Sequence, residues 1–409
     1  MDTYQSAYRK GHSCETANLV ILNEVFSAMD RKEVSIVVLL DMSAAFDTVD
    51  HALLLSKLSN LGIVGDALRW LEMYLQGRYH STRVYGRDSS PLQLTMGVPQ
   101  GSVLGPLLFS IYIRDLGEII QRTNVRYSTY ADDVTLLKSV KPTDFMAGIQ
   151  KIEECLQIIE KWTIRNFLRL NMSKTEYILL GTGAQLAKIN LSGIRVNGQE
   201  VSFKTVVRSL GVWFDSTLKF RHHIDYVCRL SYGNLRMLHR LRKCLSNSQF
   251  STFAHALVLS RIDYCPTVLY GADKAELKKL QRVIKATFRA TYRLKKSERI
   301  TEKMKNQGWL SVEDRIIMRY LMIIHNALKF GEPQYLSHLI SVNSNERSSR
   351  SQSRGDLVVS GSSSSMGSRA FLVAAPTLWR MVSEEIRRKS NRNAFRSAVK
   401  KWLLERNHD

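Results

Sequence analysis

Two neighbouring acids, Asp132 and Asp133, close the phrase Tyr130-Ala131-Asp132-Asp133 between the short apolar runs 125–130 and 134–137. Runs of that length on either side of so brief a break read as the strands of a hairpin, with the acids at its tip. Adjacent carboxylates in a tight turn repel one another unless a cation lies between them and a third acid. That acid is available, because Ser35-Ile36-Val37-Val38-Leu39-Leu40-Asp41 is an apolar strand ending in a carboxylate. Placed side by side, the two strands would bring Asp41 and Asp132 to one spot. Converging carboxylates with no His or Cys among them suit a hard, oxygen-preferring cation such as Mg²⁺, with Mn²⁺ as a substitute. Two such ions are the arrangement that aligns an attacking hydroxyl, a phosphate and a leaving group for in-line transfer. A lone acidic hairpin tip is more often a solvated turn, so the weight falls on what accompanies it along the chain.

The 409 residues suffice for two to four domains with real cores. The longest apolar runs, such as 34–40, are far shorter than the roughly 20 residues of a membrane span, so no membrane partner is expected. The start, Met1-Asp2-Thr3-Tyr4-Gln5, has neither a basic nor an apolar leader. Cys14, Cys155, Cys228, Cys244 and Cys265 are odd in number and form no CxxC or zinc spacing. They read as reduced core residues of an intracellular protein. The net charge of +22 is informative once located. Residues 1–203 hold 21 Lys/Arg and 21 Asp/Glu, which leaves 38 basic and 16 acidic residues in 204–409. An excess confined to one half points to a polyanionic partner there, nucleic acid before membrane.

Periodicity and breakers predict helices over 15–30, 51–61 and 66–76, then a hairpin over 78–94 turning near Gly86-Arg87-Asp88. The loop Gly97-Val98-Pro99-Gln100-Gly101 leads into one apolar helix from Ser102 to Ile120. Pro142 opens a long amphipathic helix to about Phe167. Two or three strands follow between Glu176 and Phe214, and beyond Lys219 the pattern is nearly pure helix. Residues 341–368 form a Ser-rich stretch that reads as a flexible linker. The helical tail after it has Phe371, Ala374, Leu378, Trp379, Phe395, Val399, Trp402 and Leu403 as apolar positions.

In this order, Gln5-Ser6-Ala7-Tyr8-Arg9-Lys10-Gly11-His12-Ser13, Asp41-Met42-Ser43-Ala44-Ala45-Phe46-Asp47, Gly97-Val98-Pro99-Gln100-Gly101-Ser102, Tyr130-Ala131-Asp132-Asp133, Asn171-Met172-Ser173-Lys174-Thr175 and Ser209-Leu210-Gly211-Val212 resemble the successive motifs of a reverse transcriptase. More narrowly they are similar to the polymerases of jockey-like non-LTR (LINE) retrotransposons, as is the tail phrase Ala374-Ala375-Pro376-Thr377-Leu378-Trp379. The resemblance implies an α+β fold: a right-hand polymerase palm with partial fingers, followed by an all-helical thumb and a helical C-terminal region. It implies partial fingers over 1–34, palm over 35–217, basic thumb over 218–300, helical connector over 301–340, Ser-rich linker over 341–369 and tail over 370–409. The implied activity is RNA-directed DNA polymerisation with two Mg²⁺ ions, an RNA template, a DNA primer and deoxynucleoside triphosphates.

Site roles follow from the same resemblance. Asp41 and Asp132 would be direct metal ligands, and Asp133 a third, although adjacent side chains on an extended strand diverge. Phe46 would exclude the sugar 2′-hydroxyl, with packing at a helix start as the plain alternative. Gln100 and Gly101 would let backbone approach the nucleotide or template, or simply make a tight turn. Arg9 and Lys10 would hold the triphosphate, or be a solvated pair. Lys174 would donate a proton to departing pyrophosphate, where a surface lysine is the default, and Leu210-Gly211 would grip the primer. Asp47 and Asp50 read as helix caps. Arg229, Arg236, Arg240 and Lys243 recur at helical spacing opposite Val227, Leu230, Leu238 and Leu241. Lys278, Arg282, Lys285, Arg289 and Arg293 do the same on a later helix. Two such stripes after a palm suit the backbone of a primer–template duplex, read without regard to sequence.

The chain begins at the motif containing Arg9, which reads as a 5′-truncated copy or partial gene. Further fingers strands or an endonuclease would then come from another chain. A maturase-type polymerase and an inert nucleic-acid-binding remnant are the other readings. The element's life cycle implies access to the nucleus, with Arg387-Arg388-Lys389 as a weak import signal.

Overall fold

The computed structural model describes residues 2–189, 193–196, 199–342 and 355–406. The chain divides into two units, one of residues 1–9, 36–177 and 190–203, the other of residues 10–35, 178–189 and 204–409. The division passes through the strands Val34–Leu40 and Glu176–Leu180.

The first unit is built on a sheet whose strands run in the order Arg126–Tyr130, Asp133–Val140, Val34–Leu40, Glu176–Leu180. Val34–Leu40 is buried at all positions but Leu39, which is half-buried, as a strand covered on both faces requires. The helix Phe145–Arg165 packs on Asp133–Val140 through Phe145, Ile149, Ile152, Leu156, Ile159 and Trp162, the spacing of one helical face. Pro142 opens the short 3₁₀ turn before it. The expected hairpin over 78–94 is present, with Tyr79 opposite Gln93 and Val84 opposite Arg87. Its turn lies at Tyr85-Gly86, one residue earlier than the composition suggested, because both residues adopt positive φ.

The single helix expected over 102–120 is two, Gly105–Tyr112 and Arg114–Gln121. The break is at Ile113, where ψ falls to 3°. The charged pair Arg114-Asp115 follows the break directly and opens the second helix. The Ser102 hydroxyl accepts the Gly105 N–H and donates to the Pro99 carbonyl, so the first helix starts three residues late.

The second unit is mostly helical. Cys14–Asp30 opens with a reciprocal capping box between Ser13 and Thr16 and is buried on nearly every side. Its Glu15 carboxylate, 3% exposed, accepts the Thr267 N–H and hydroxyl and pairs with Arg319. The helix Arg221–Arg240 packs on Lys274–Tyr292 through Ile224, Val227, Leu235 and Leu238. Leu230, expected on the same face, is half-buried and Leu241 exposed. Between Glu176 and Phe214 the sequence suggested two or three strands. Besides the sheet strand, the described residues hold two antiparallel strand pairs, Gly193–Val196 with Gln199–Ser202 in the first unit and Val206–Ser209 with Val212–Asp215 in the second.

In the Ser-rich stretch, residues 343–354 lie outside the described set. Beyond them Ser363 and Ser364 donate to the Asp30 carboxylate, and Arg369, 6% exposed, donates to the Tyr270 and Leu218 carbonyls over the Phe26 ring. The tail helices bury Phe371, Ala374, Leu378, Trp379, Phe395, Val399 and Leu403 as expected, with Trp402 half-buried. The basic run 387–389 is not a free patch. Arg387 is buried against Asp356 and Arg388 pairs with Glu384.

Candidate active site

Tyr130 pairs with Asp133, so Ala131 and Asp132 form a two-residue turn. Asp132 is half-buried in the turn and Asp133 opens the next strand. Ala131 has φ +55°, a region that favours glycine, and it is buried. Asp41 follows the neighbouring strand directly, and its backbone is fixed from outside the sheet. The Asn171 N–H donates to the Asp41 carbonyl, Met42 pairs with Leu170, and the Ser43 N–H donates to Arg169.

Asp132 and Asp133 both sense the charge of Asp41. Asp132 is held above the usual carboxylate range by loss of solvent and then by the charge of Asp41. Asp133, although exposed by surface area, is pushed up to about 6 by loss of solvent, then by Asp132 and by Asp41. Tyr8, at φ +58°, is also raised, by loss of solvent and then by Asp132. Each shift marks a place where negative charge is unwelcome without a counter-charge. One counter-charge is present: Lys174 Nζ lies 3.7 Å from Asp41 Oδ2.

The loop after Asp41 meets the loop around Gly97–Gly101, and together they carry Phe46, Gln100 and Gly101. The Gly97 N–H donates to Val49 and the Val98 N–H to Phe46. Gly97 has φ +87°, and a Cβ there would come 2.9 Å from the Asp47 carbonyl, so no other residue fits this approach. Gln100 Nε2 donates to the Asp47 carboxylate at 2.7 Å, which takes Asp47 away from the helix-capping role. Asp50 keeps that role, accepting the Leu53 N–H. Phe46 is half-exposed, its ring stacked 4.2 Å from that of the buried Phe109. Gly101 is exposed beside Gln100.

The family model described as "Reverse transcriptase (RNA-dependent DNA polymerase)" matches residues 1–214, just over half of the chain. The chain belongs to the reverse transcriptase family. It is similar to the probable RNA-directed DNA polymerase from transposon BS of Drosophila melanogaster, 31% identical over 58% of this chain and 26% of that protein. It is likewise similar to the RNA-directed DNA polymerase from mobile element jockey of Drosophila funebris, 27% identical over 69% of this chain and 31% of that protein. The jockey-like, non-LTR affinity drawn from the motifs is thereby shown. The chain spans about a quarter to a third of the length of these relatives. Among solved structures, a telomerase from Candida albicans in complex with a fragment of telomeric RNA aligns at 12% identity over 78% of this chain and 53% of that one. Its TM-score of 0.34 is too low to bear on the fold. Among the described residues no helix is long and apolar enough to cross a membrane.

Other residues expected in this reverse transcriptase are placed as follows. In the first unit, Arg9 donates through one nitrogen to the Asp2 and Gln5 carbonyls at 2.7 and 2.9 Å, so it braces the N-terminal segment. Lys10 is exposed and belongs to the second unit. There, Leu210 and Gly211, both at positive φ, form the turn between Val206–Ser209 and Val212–Asp215. The Tyr264 hydroxyl donates to the Leu210 carbonyl at 2.8 Å, and a Cβ on Gly211 would come 2.9 Å from that oxygen. Arg229, Arg236, Arg240 and Lys243 are all exposed. On the later helix Lys278, Arg282 and Arg293 are exposed, while Lys285 is half-buried and Arg289 is partly committed to the Glu298 carbonyl. The second stripe is therefore less available to a ligand than its spacing implied.

Sequence reasoning gave no role of its own to three neighbours of these residues: Gln5, which bonds both sides of Ala131, Tyr264, and Asn18, whose amide accepts from Ser209. Gln5 lies within a phrase that resembles a family motif, the one signal that could have singled it out.

Proposed function

We propose that this chain is the polymerising portion of a non-LTR reverse transcriptase: an RNA-directed DNA polymerase that adds deoxynucleotides to a DNA 3′-hydroxyl on an RNA template. In the right-hand layout, residues 35–217 act as palm and 218–300 as thumb. The observation that carries the reading is electrostatic. Asp41 follows one strand, Asp132 lies in the turn and Asp133 opens the strand beside it. Both Asp132 and Asp133 are raised by loss of solvent and, beyond it, by the charge of Asp41.

The donor set is oxygen only, which fits Mg²⁺ or Mn²⁺. Among the described residues no three His, Cys, Asp or Glu side chains are gathered tightly enough to hold an ion. Asp41 and Asp132, with Asp133, would therefore share two ions with substrate phosphates and water, the usual habit of Mg²⁺. When bound, such ions polarise the α-phosphate and lower the pKa of the attacking hydroxyl.

The chain's own residues do the rest. Lys174, beside Asp41, is placed to give a proton to the departing pyrophosphate. Phe46, backed by Phe109, presents a ring that cannot retreat from a 2′-hydroxyl. Gln100, fixed on Asp47, steadies the loop whose backbone meets nucleotide or template. Leu210 and Gly211 present a rigid turn to the primer end. The exposed row Arg229, Arg236, Arg240 and Lys243 neutralises duplex phosphates.

Asp41→Asn tests the reading. It should abolish Mg²⁺-dependent nucleotide incorporation on primed RNA while duplex affinity stays within about twofold. Unchanged incorporation would remove Asp41 from the site.

A further inference from the structure

Ala131 is an L-residue held at φ +55°, immediately before the acid that the proposed mechanism most needs. Such a conformation persists only where its surroundings over-determine it. The surroundings here are largely one side chain. Gln5, 3% exposed, accepts the Ala131 N–H on Oε1 at 3.0 Å and donates from Nε2 to the Ala131 carbonyl at 3.3 Å. The same Oε1 accepts the Ala7 N–H at 2.9 Å. Two backbone donors on one oxygen fix which end of the amide is which, because an NH₂ group could accept neither.

The segment carrying Gln5 is itself pinned to the hairpin. The Ser6 N–H donates to the Thr129 carbonyl at 2.9 Å, and the Thr129 N–H to the Tyr4 carbonyl at 3.1 Å. Arg9 closes the segment by donating to the Gln5 and Asp2 carbonyls. A residue near the start of the chain thus brackets the turn 126 positions later on both of its peptide groups.

We infer that Gln5 is a positioning residue for nucleotidyl transfer, clamping the strained Ala131 peptides so that Asp132 and Asp133 face Asp41. The inference rests on the reading of these acids as the metal-holding set. Gln5 acts through Ala131 and has no part in the chemistry itself. Arg9 serves the clamp, a role distinct from holding a triphosphate.

The clamp matters because alanine resists φ +55°; glycine does not. The test therefore compares wild type, Gln5→Ala, Ala131→Gly and the double variant. Two quantities are read: single-turnover incorporation on primed RNA, and amide hydrogen exchange over residues 129–134. Loss of three buried amide bonds, two of them to Ala131, should lower the incorporation rate about tenfold and raise exchange at the tip by a similar factor. The nucleotide KM and duplex affinity should stay within about twofold, a split that general loss of structure would not give. In the Ala131→Gly background both effects should shrink to about threefold or less. Equal losses in both backgrounds, or unchanged exchange at the tip in Gln5→Ala, would overturn the clamp. Should Asp132→Ala incorporate as well as wild type, or wild type not incorporate at all, the polymerase assignment of the acids fails. The exchange comparison then still decides whether Gln5 holds the turn.

Discussion

Lys174 Nζ lies 3.7 Å from Asp41 Oδ2, and the backbone that brings them together is a short antiparallel bridge between Met42 and Leu170. The two residues sit in separate motifs, so their meeting is a product of the fold. The ammonium is 69% exposed, which leaves the pair worth under about 1 kcal/mol of stability. Under the proposed function its value would be chemical: a positive charge and a proton at the edge of the acidic set.

Lys174→Ala should therefore slow single-turnover incorporation by about 100-fold, the usual scale for a positioned proton donor. The melting temperature should move by less than about 1 °C, because so exposed a pair contributes little. Lys174→Arg, which keeps charge but yields its proton far less readily, should restore only part of the rate. Rate and melting curve measured on the same preparations check both statements.

Gly211 faces Tyr264 at a distance that leaves no room for a methyl group. Gly211→Ala should cost about 1 to 3 kcal/mol, from strained φ and from the collision together. Tyr264→Ala removes the collision but not the strain. Urea denaturation of the two single variants and the double should show a coupling of about 1 kcal/mol. Strict additivity would mean that backbone strain alone sets the cost.

His223, 4% exposed, accepts the Trp213 N–H at 3.5 Å and is pushed down to about 4 by loss of solvent, then by His222 and Arg208. Its folded value lies below the unfolded one, so it is neutral in the fold where the unfolded chain would take a proton. The stability it contributes is complete above about pH 6.5 and is lost as pH falls from there toward 4. The loss is on the order of 3 kcal/mol. His223→Gln should flatten the fall in stability between pH 7 and pH 4, measured by denaturant midpoints across that range.

Replacing Arg229, Arg236, Arg240 and Lys243 together by alanine should weaken duplex binding about equally on all sequences. Each phosphate contact contributes about 0.9 to the slope of log affinity against log salt on B-form DNA, so the slope should flatten by roughly 3 to 4. A titration of a fluorescent RNA–DNA duplex at several salt concentrations measures it. An unchanged slope would show that this face does not meet the duplex.

The local elements were legible wherever a pattern is local. The hairpin 126–140 and the strand into Asp41 follow from apolar runs of strand length, and Pro142 marked the start of its helix. What sequence could not show is set by distant partners. The helix break at Ile113 has neither Gly nor Pro beside it to mark it. Asp47 looks like a cap and is instead taken by Gln100, 53 positions away. Arg289 looks like one of a basic row, yet it is partly committed to a carbonyl beyond its own helix. The candidate site shows the same split. Its acids announce themselves by type and company, whereas Gln5 and Tyr264 act by bonding to backbone, which leaves no periodic trace. That Arg387 in the Arg387-Arg388-Lys389 run is buried against Asp356 is likewise invisible in composition.

The most direct measurement is primer extension on an RNA template with Mg²⁺, comparing the chain with its Asp132→Ala variant. Extension by the chain, lost by at least about 1,000-fold in the variant with duplex binding intact, is the predicted result. Extension that survives Asp132→Ala would contradict the assignment of the acidic turn as the polymerase centre.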